Sequence, residues 1–344
     1  MPASAFAAQS GVDFKEKELS RNYRSSDRII GYFSNYNVFP TKIASASKHK
    51  DHVGLISLNS VVPREQLEAE LVRLIRYNVE TLGINPDEIC IIAPWWAHLG
   101  SMTRRLVAAL PAYSFDGPGM VPFSRDPDNF WYKLSKLVLT RASPEMFVRR
   151  SRWARDVLLA LDHAGVDVSG LSGKALLRHC NSIEVTEEDG LTYLDLFFED
   201  LFERLGIAFA DNKTLREHHE AFFNSSRERV ERLKKDGTPF IGNIAAFRQV
   251  FQNRSGIRVS TIHSAKGAEY DVVIAYALLE GIVPHFSDPD AENAAKKLLY
   301  VLGSRARKNL HLISERQRMR GGSLGEYPMT TLLAELQFDY DVIP

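Results

Sequence analysis

The sequence predicts an α/β fold in which a parallel sheet is flanked by helices and interrupted by an inserted helical subdomain. Three features carry that prediction. Strand and helix patterns alternate over residues 52–110, strand patterns stop between about 140 and 253, and they return after Gly256. Such alternation requires crossover helices between strands that run the same way, which places helices on the faces of a parallel sheet.

In chain order, residues 1–17 are small and polar and are expected to form a flexible segment. HVGLISL (52–58) reads as a strand. REQLEAELVRLIRYNVETLG (64–83) reads as an amphipathic helix, because Leu67, Leu71, Leu74 and Ile75 recur at helical spacing and Gly83 can end it. EICIIAPWW (88–96) is a second strand, and a helix follows around residues 101–110. From Thr140 the pattern turns helical, through SPEMFVRRSRWARDVLLALDHAG, GLTYLDLFFEDLFERLG and HHEAFFNSSRERVERLKKDG. The acids of YLDLFFED lie in an apolar run, yet Leu191, Leu194, Phe197, Phe198 and Leu201 follow helical spacing, so this too is an amphipathic helix. RERVERLKKD (227–236) reads as a solvated helix with paired charges. Strand patterns then resume in IRVSTI (257–262), DVVIAYA (271–277) and NLHLISE (309–315). The expected organisation is a flexible segment 1–17, a first α/β part 18–140, a helical insertion 141–253 and a second α/β part 254–344.

Composition narrows the function classes. The 344 residues hold 43 Lys and Arg against 43 Asp and Glu, so bulk charge does not hold a nucleic acid, although a local basic groove can. Two cysteines, Cys90 and Cys180, provide neither a disulfide framework nor a metal cluster. No apolar stretch approaches a membrane span, and the first residues lack the layout of a signal peptide. A cytoplasmic protein without a membrane partner is expected.

The chemistry concentrates in VSTIHSAKGAEYD (259–271), where Thr261, His263, Lys266, Gly267 and Glu269 stand between two apolar runs. Polar residues following a parallel strand sit where open α/β sheets bind ligands, though a capped turn would explain half of them. Two further stretches alter that balance: LSRNYRSSDRII (19–30), and KKLLYVLGSRARKNLHLI (296–313), an apolar helix ending in Ser-Arg-Ala-Arg. Together the three resemble the UvrD-like, superfamily 1 helicases. NYRSS is similar to their motif IV, VSTIHSAKGAEYDVVI with EGIVPH (280–285) to motif V, and LLYVLGSRARKNL to motif VI, in the same order and with a helical insertion between IV and V.

The resemblance implies the second, RecA-like motor domain of an ATP-dependent DNA helicase, acting on single-stranded DNA with 3′-to-5′ polarity in a setting such as DNA repair. It implies that Arg24 and Arg305 stabilise the γ-phosphate charge, that Tyr23 stacks on the adenine, and that Gly267 and Glu269 contact the nucleotide. It also implies that Thr261, His263 and Lys266 couple nucleotide state to the DNA strand. Charge on a transferring phosphoryl group spreads over its oxygens, and a guanidinium can meet it bidentately.

The sequence also departs from the family. No G-x-x-x-x-G-K-[ST] loop and no strand-ending acidic pair occurs; the nearest string, SGLSGKA (169–175), lacks the spacing. The chain is therefore expected to need a missing N-terminal motor domain for most ATP and Mg contacts, and to be inactive alone, with no metal site of its own. Gly303-Ser304 stands where a bulkier residue and Thr are usual, with Ser keeping the hydroxyl. For DNA, the four arginines and Trp153 of VRRSRWAR (148–155) could meet phosphates and a base but read first as a solvated helix face with Trp153 toward the core, and one of Trp95 and Trp96 could reach the strand path, with core packing the competing reading. The alternative is a stand-alone, catalytically silent module that binds single-stranded DNA or a protein, and an unrelated α/β enzyme is weakened by the lack of a nucleophile–base pair.

Overall fold

The structure, a computed structural model, describes residues 20–39, 42–251, 255–321 and 324–344. The predicted flexible segment 1–17 lies outside the described residues. In chain order the elements are β1 (Arg21–Asn22), α1 (Asp27–Ser34), β2 (Ala44–Ser45), β3 (Ile56–Asn59), α2 (Leu67–Arg76), β4 (Ile89–Ala93), α3 (Trp96–Ala109) and β5 (Phe115–Asp116). There follow α4 (Phe130–Val138), α5 (Phe147–His163), α6 (Gly173–Ser182), α7 (Gly190–Leu205), α8 (Lys213–Lys235) and α9 (Ile244–Gln249). The last are β6 (Ile257–Thr261), β7 (Tyr270–Ala275), α10 (Ala291–Gly303), β8 (Ala306–Ile313) and α11 (Thr331–Glu335).

The main sheet is parallel and six-stranded, in the order β3-β8-β7-β4-β6-β5. A short parallel pair, β1 with β2, stands apart from it. The chain forms two compact units: the described residues up to Trp95 with Ser260–Pro344, and Trp96–Val259.

In the first unit the central strands β4 and β7 are buried along their apolar residues, as continuous ICIIA and VVIA runs require. The helix expected over 64–83 is broken into three. A 3₁₀ turn (Arg64–Gln66) leads into α2, and a π-helical turn (Tyr77–Thr81) follows it. Burial of a polar side chain accounts for the second break. Asn78 is buried, and its Nδ2 donates to the Leu74 carbonyl (2.8 Å) and to His311 Nε2 (3.0 Å). Its Oδ1 accepts from Asn309 Nδ2 at 2.9 Å. His311, on β8, therefore uses Nε2 as acceptor and donates from Nδ1 to Ser57 Oγ on β3 (2.8 Å).

That network has no place for a second imidazole proton, which would point at an amide N–H. Burial holds His311 down to about 4 from its ordinary 6.5. In this pH range the unfolded chain binds the proton that the folded chain refuses, so stability is complete above pH 6.5 and falls as pH drops toward 4. From the size of the shift the loss approaches about 3 kcal/mol. Urea denaturation at pH 7 and pH 5 should show a lower midpoint at pH 5, and NMR should find the His311 ring neutral at both. A ring titrating near 6.5 would contradict this.

The second unit closes on an aromatic core. Trp131, on α4, is fully buried against Phe130, Phe198, Phe202 and Phe209, and its Nε1 donates to the Leu215 carbonyl at 2.8 Å. Leu194, Phe197, Phe198 and Leu201 of α7 are buried as their spacing predicts. Trp153 packs against this core and carries Arg149 over its ring, as the core-facing reading of VRRSRWAR expects.

Candidate functional site

The site grows from how three loops end. In NYRSS, Asn22 Oδ1 accepts from the N–H groups of Arg24 (2.8 Å) and Ser25 (2.9 Å), folding the turn. Ser26 caps α1 by accepting from Ile29 N, and Ser25 Oγ donates to the Ala306 carbonyl at the start of β8 (2.7 Å). Ser26 N donates to the Arg307 carbonyl (3.0 Å), so two consecutive positions are fixed against β8. Tyr23 is left pointing outward at 71% exposure, and Arg24 is left reaching along the surface.

The connection from β6 to β7 is eight residues, 262–269. Thr261 starts it: its hydroxyl accepts from Ser264 N (3.1 Å) and its carbonyl from Ala265 N (3.0 Å). Gly267, at φ +87°, makes the left-handed turn that other residues resist. Because β6 and β7 belong to one parallel sheet, this connection leaves the C-terminal end of one strand and arrives at the N-terminal end of the other. Glu269 therefore stands at the sheet edge opposite to the one where a strand-following ligand site is expected. Arg305 immediately precedes β8 and shares that edge with it.

There the arginines meet. Arg24 Nε lies 2.6 Å from Glu269 Oε1, an ion pair rather than an aligned hydrogen bond, and Arg24 Nη1 donates to the Ser304 carbonyl (2.9 Å). Arg305 donates from Nη1 to the Ala268 carbonyl (3.2 Å), from Nη2 to Ser304 Oγ (3.0 Å) and from Nε to the Val301 carbonyl (3.2 Å). Burial holds the Arg305 guanidinium below its ordinary value; neighbouring Arg24 pushes the same way and Glu269 opposes. Tyr300 faces the same pair: burial raises its phenol, while Arg24 and Arg305 pull it down.

Of the predicted residues, Arg24, Glu269 and Arg305 are brought together. Tyr23 adjoins them in sequence and is exposed. Thr261 is buried in its own turn. His263 and Lys266 are exposed and, among the described residues, make no side-chain hydrogen bond or ion pair. Ser304 and Tyr300 were not singled out as site residues. A hydroxyl beside the arginine was the one available signal for Ser304. Gly303 has a plain cause: a side chain there would meet Phe33 Cβ at 2.8 Å, so α10 packs on α1 only with glycine at that position. Trp95 packs against His285 (ring centroids 5.0 Å), whereas Trp96 is 59% exposed at the start of α3.

The chain thus presents a parallel, helix-flanked sheet with two half-buried guanidiniums and one carboxylate gathered at one edge. Residues 243–317 match the family described as UvrD-like helicase C-terminal domain, a span that contains the β6–β7 connection and Arg305. That span is therefore similar to the C-terminal domain of UvrD-like helicases. The ATP-dependent DNA helicase PcrA of Bacillus subtilis is 33% identical over 89 residues, 25% of this chain and 12% of that protein. The ATP-dependent DNA helicase UvrD1 of Mycobacterium leprae is 30% identical over 115 residues, 29% of this chain and 15% of that protein. The alignments thus span a small part of the relatives' length. The crystal structure of the C-terminal domain of a possible DNA helicase from Lactobacillus plantarum covers 92% of this chain and 94% of its own, at 12% identity and a TM-score of 0.36, which carries no argument. No helix among the described residues is long and apolar enough to cross a membrane.

Proposed function

We propose that this chain supplies the second motor domain of a UvrD-like DNA helicase, driving 3′-to-5′ movement along single-stranded DNA by ATP hydrolysis. The observation that carries the reading is the Arg24–Glu269 ion pair beside Arg305, since it gathers residues of three separated motifs at one sheet edge. Two guanidiniums share one carboxylate there, leaving positive charge that an anion can answer. An arriving γ-phosphate would draw Arg24 from Glu269 and take up Arg305, both already held near their working positions. Tyr23, exposed next to Arg24, offers a flat ring to the adenine. Glu269 would turn to the ribose, and Gly267 lets backbone come near the phosphates. His263 and Lys266, without internal partners, are free for the DNA strand, while Thr261 shapes the turn that holds them.

Glu269 is already ion-paired, which leaves magnesium and most phosphate contacts to a first motor domain. On this reading the chain is inactive alone. The alternative, a silent module that binds single-stranded DNA or a protein, is disfavoured by the same cluster, because such a module has no use for two arginines converging on one carboxylate.

The test uses the protein at its full natural length. ATP hydrolysis should be stimulated by single-stranded DNA, and movement should begin from a 3′ tail and not from a 5′ tail. Tight single-strand binding without nucleotide dependence and without hydrolysis would replace this reading with the binding module.

A further inference from the structure

The short parallel pair β1–β2 has two residues in each strand and no place in the main sheet. Two such strands gain little by themselves, so side chains have to hold them. The segment that does so is ASASKHK (44–50), which lies outside the three motifs. Ala44 N donates to the Ser20 carbonyl (2.9 Å) and Ala46 N to the Asn22 carbonyl (2.7 Å), laying the segment along the start of NYRSS. Ser45 and Ser47, both buried, then reach two consecutive carbonyls of that turn. Ser45 Oγ donates to the Ser25 carbonyl (2.7 Å) and Ser47 Oγ to the Arg24 carbonyl (2.9 Å). Each hydroxyl also accepts the backbone N–H two residues on: Ser47 N gives to Ser45 Oγ (3.2 Å) and His49 N to Ser47 Oγ (3.0 Å). Asp27 ties the far end down, its N–H donating to the Lys50 carbonyl (3.0 Å) and its Oδ1 accepting from Ser45 N (3.3 Å).

We propose that Ser47, supported by Ser45, is a positioning residue for Arg24, through which the β1–β2 pair sets where the guanidinium starts. The role rests on the nucleotide reading of Arg24. Asn22 Oδ1 takes the N–H groups of Arg24 and Ser25 from one side, and the two serines take the carbonyls of the same residues from the other. The Arg24 backbone is thus held at both its N–H and its C=O, and the side chain alone is left to move. That side chain answers Glu269 and the Ser304 carbonyl. When an anion draws it away, the guanidinium swings from a fixed Cα, so little backbone reorganisation accompanies binding or the development of charge. The hydroxyl at 47 is what does this. Alanine there leaves the Arg24 carbonyl without its donor and releases the turn at His49 in one step.

The test measures ATP hydrolysis stimulated by single-stranded DNA, at full natural length, in the parent, Ser47→Ala, Arg24→Ala and the double variant. Ser47→Ala should lower kcat/KM by about tenfold, the scale of one lost hydrogen bond, with kcat and KM moving in the same directions as in Arg24→Ala. In the Arg24→Ala background the same substitution should change kcat/KM by less than about twofold, because placing an absent guanidinium has no effect. Ser47→Cys keeps the volume and weakens the donor, and it takes the place of Ser47→Ala in the cycle if that variant does not fold. Parental kcat/KM in the position-47 variant would overturn the proposal. An equal loss in both backgrounds would overturn it too, by showing that the serine serves only the fold. Parental turnover in Arg24→Ala would instead fail the nucleotide reading, and this role with it, so the two failures are told apart.

Discussion

Replacing Arg305 by Ala at full natural length should lower DNA-stimulated ATP turnover by about a thousandfold, equivalent to about 4 kcal/mol of transition-state stabilisation. The loss should fall on kcat more than on KM, because a guanidinium placed for charge that develops during transfer contributes little to ground-state binding. The geometry supports that division. All three nitrogens of Arg305 are held by Val301, Ala268 and Ser304, so little reorganisation is needed when the charge appears. Arg305→Lys should recover little, since a single ammonium cannot reproduce a two-point contact. Arg24→Ala should also depress turnover, with an added effect on nucleotide affinity because it releases Glu269 from its ion pair. Arg305→Ala also removes three hydrogen bonds, so thermal melting of each variant is needed to separate lost turnover from lost stability. Unchanged turnover in Arg305→Ala would remove the assigned role.

Much of this was legible in sequence, for physical reasons that differ by element. β4 and β7 are continuous apolar runs, and such runs have few alternatives to a buried strand in a parallel sheet. α7 was legible because five apolar positions at helical spacing outweigh the acids between them. The break after α2 was not, because it depends on a partner that arrives from far along the chain. Asn78 looks like an ordinary helical residue until His311 and Asn309 of β8 are placed against it. The same holds for the edge on which the arginines meet. Strand-following polarity suggests the C-terminal edge of the sheet, but an eight-residue connection crosses to the N-terminal one, and no local pattern announces a crossover so short. Gly303 reads as a departure until Phe33 is seen beneath it. Arg229 of α8 escaped for a related reason. Alternating charges in RERVERLKKD suggest pairing along the helix, while Arg229 donates to the Val121 carbonyl and has Arg125 and Arg104 of other segments nearby.

The second unit should be most sensitive at Trp131. Trp131→Ala should cost about 4 kcal/mol, within the range for a core aromatic, because three losses coincide there. A fully buried indole leaves a large cavity among rings that pack on it from α4, α7 and the turn at Phe209. Edge-to-face contact with Phe130 and Phe209 is lost beyond the area term. The Leu215 carbonyl, which receives the indole N–H at 2.8 Å, is left without that donor in a dry environment. Trp131→Phe keeps most of the volume and loses the hydrogen bond, so it should cost roughly 1–3 kcal/mol, and the difference between the two variants isolates the cavity. Native-state hydrogen exchange reads the effect where it arises: amides of α4, α7 and α8 should exchange about a thousandfold faster in Trp131→Ala. A change below tenfold in those helices would mean that the rings collapse onto the vacated space, and that Trp131 is not what holds them apart.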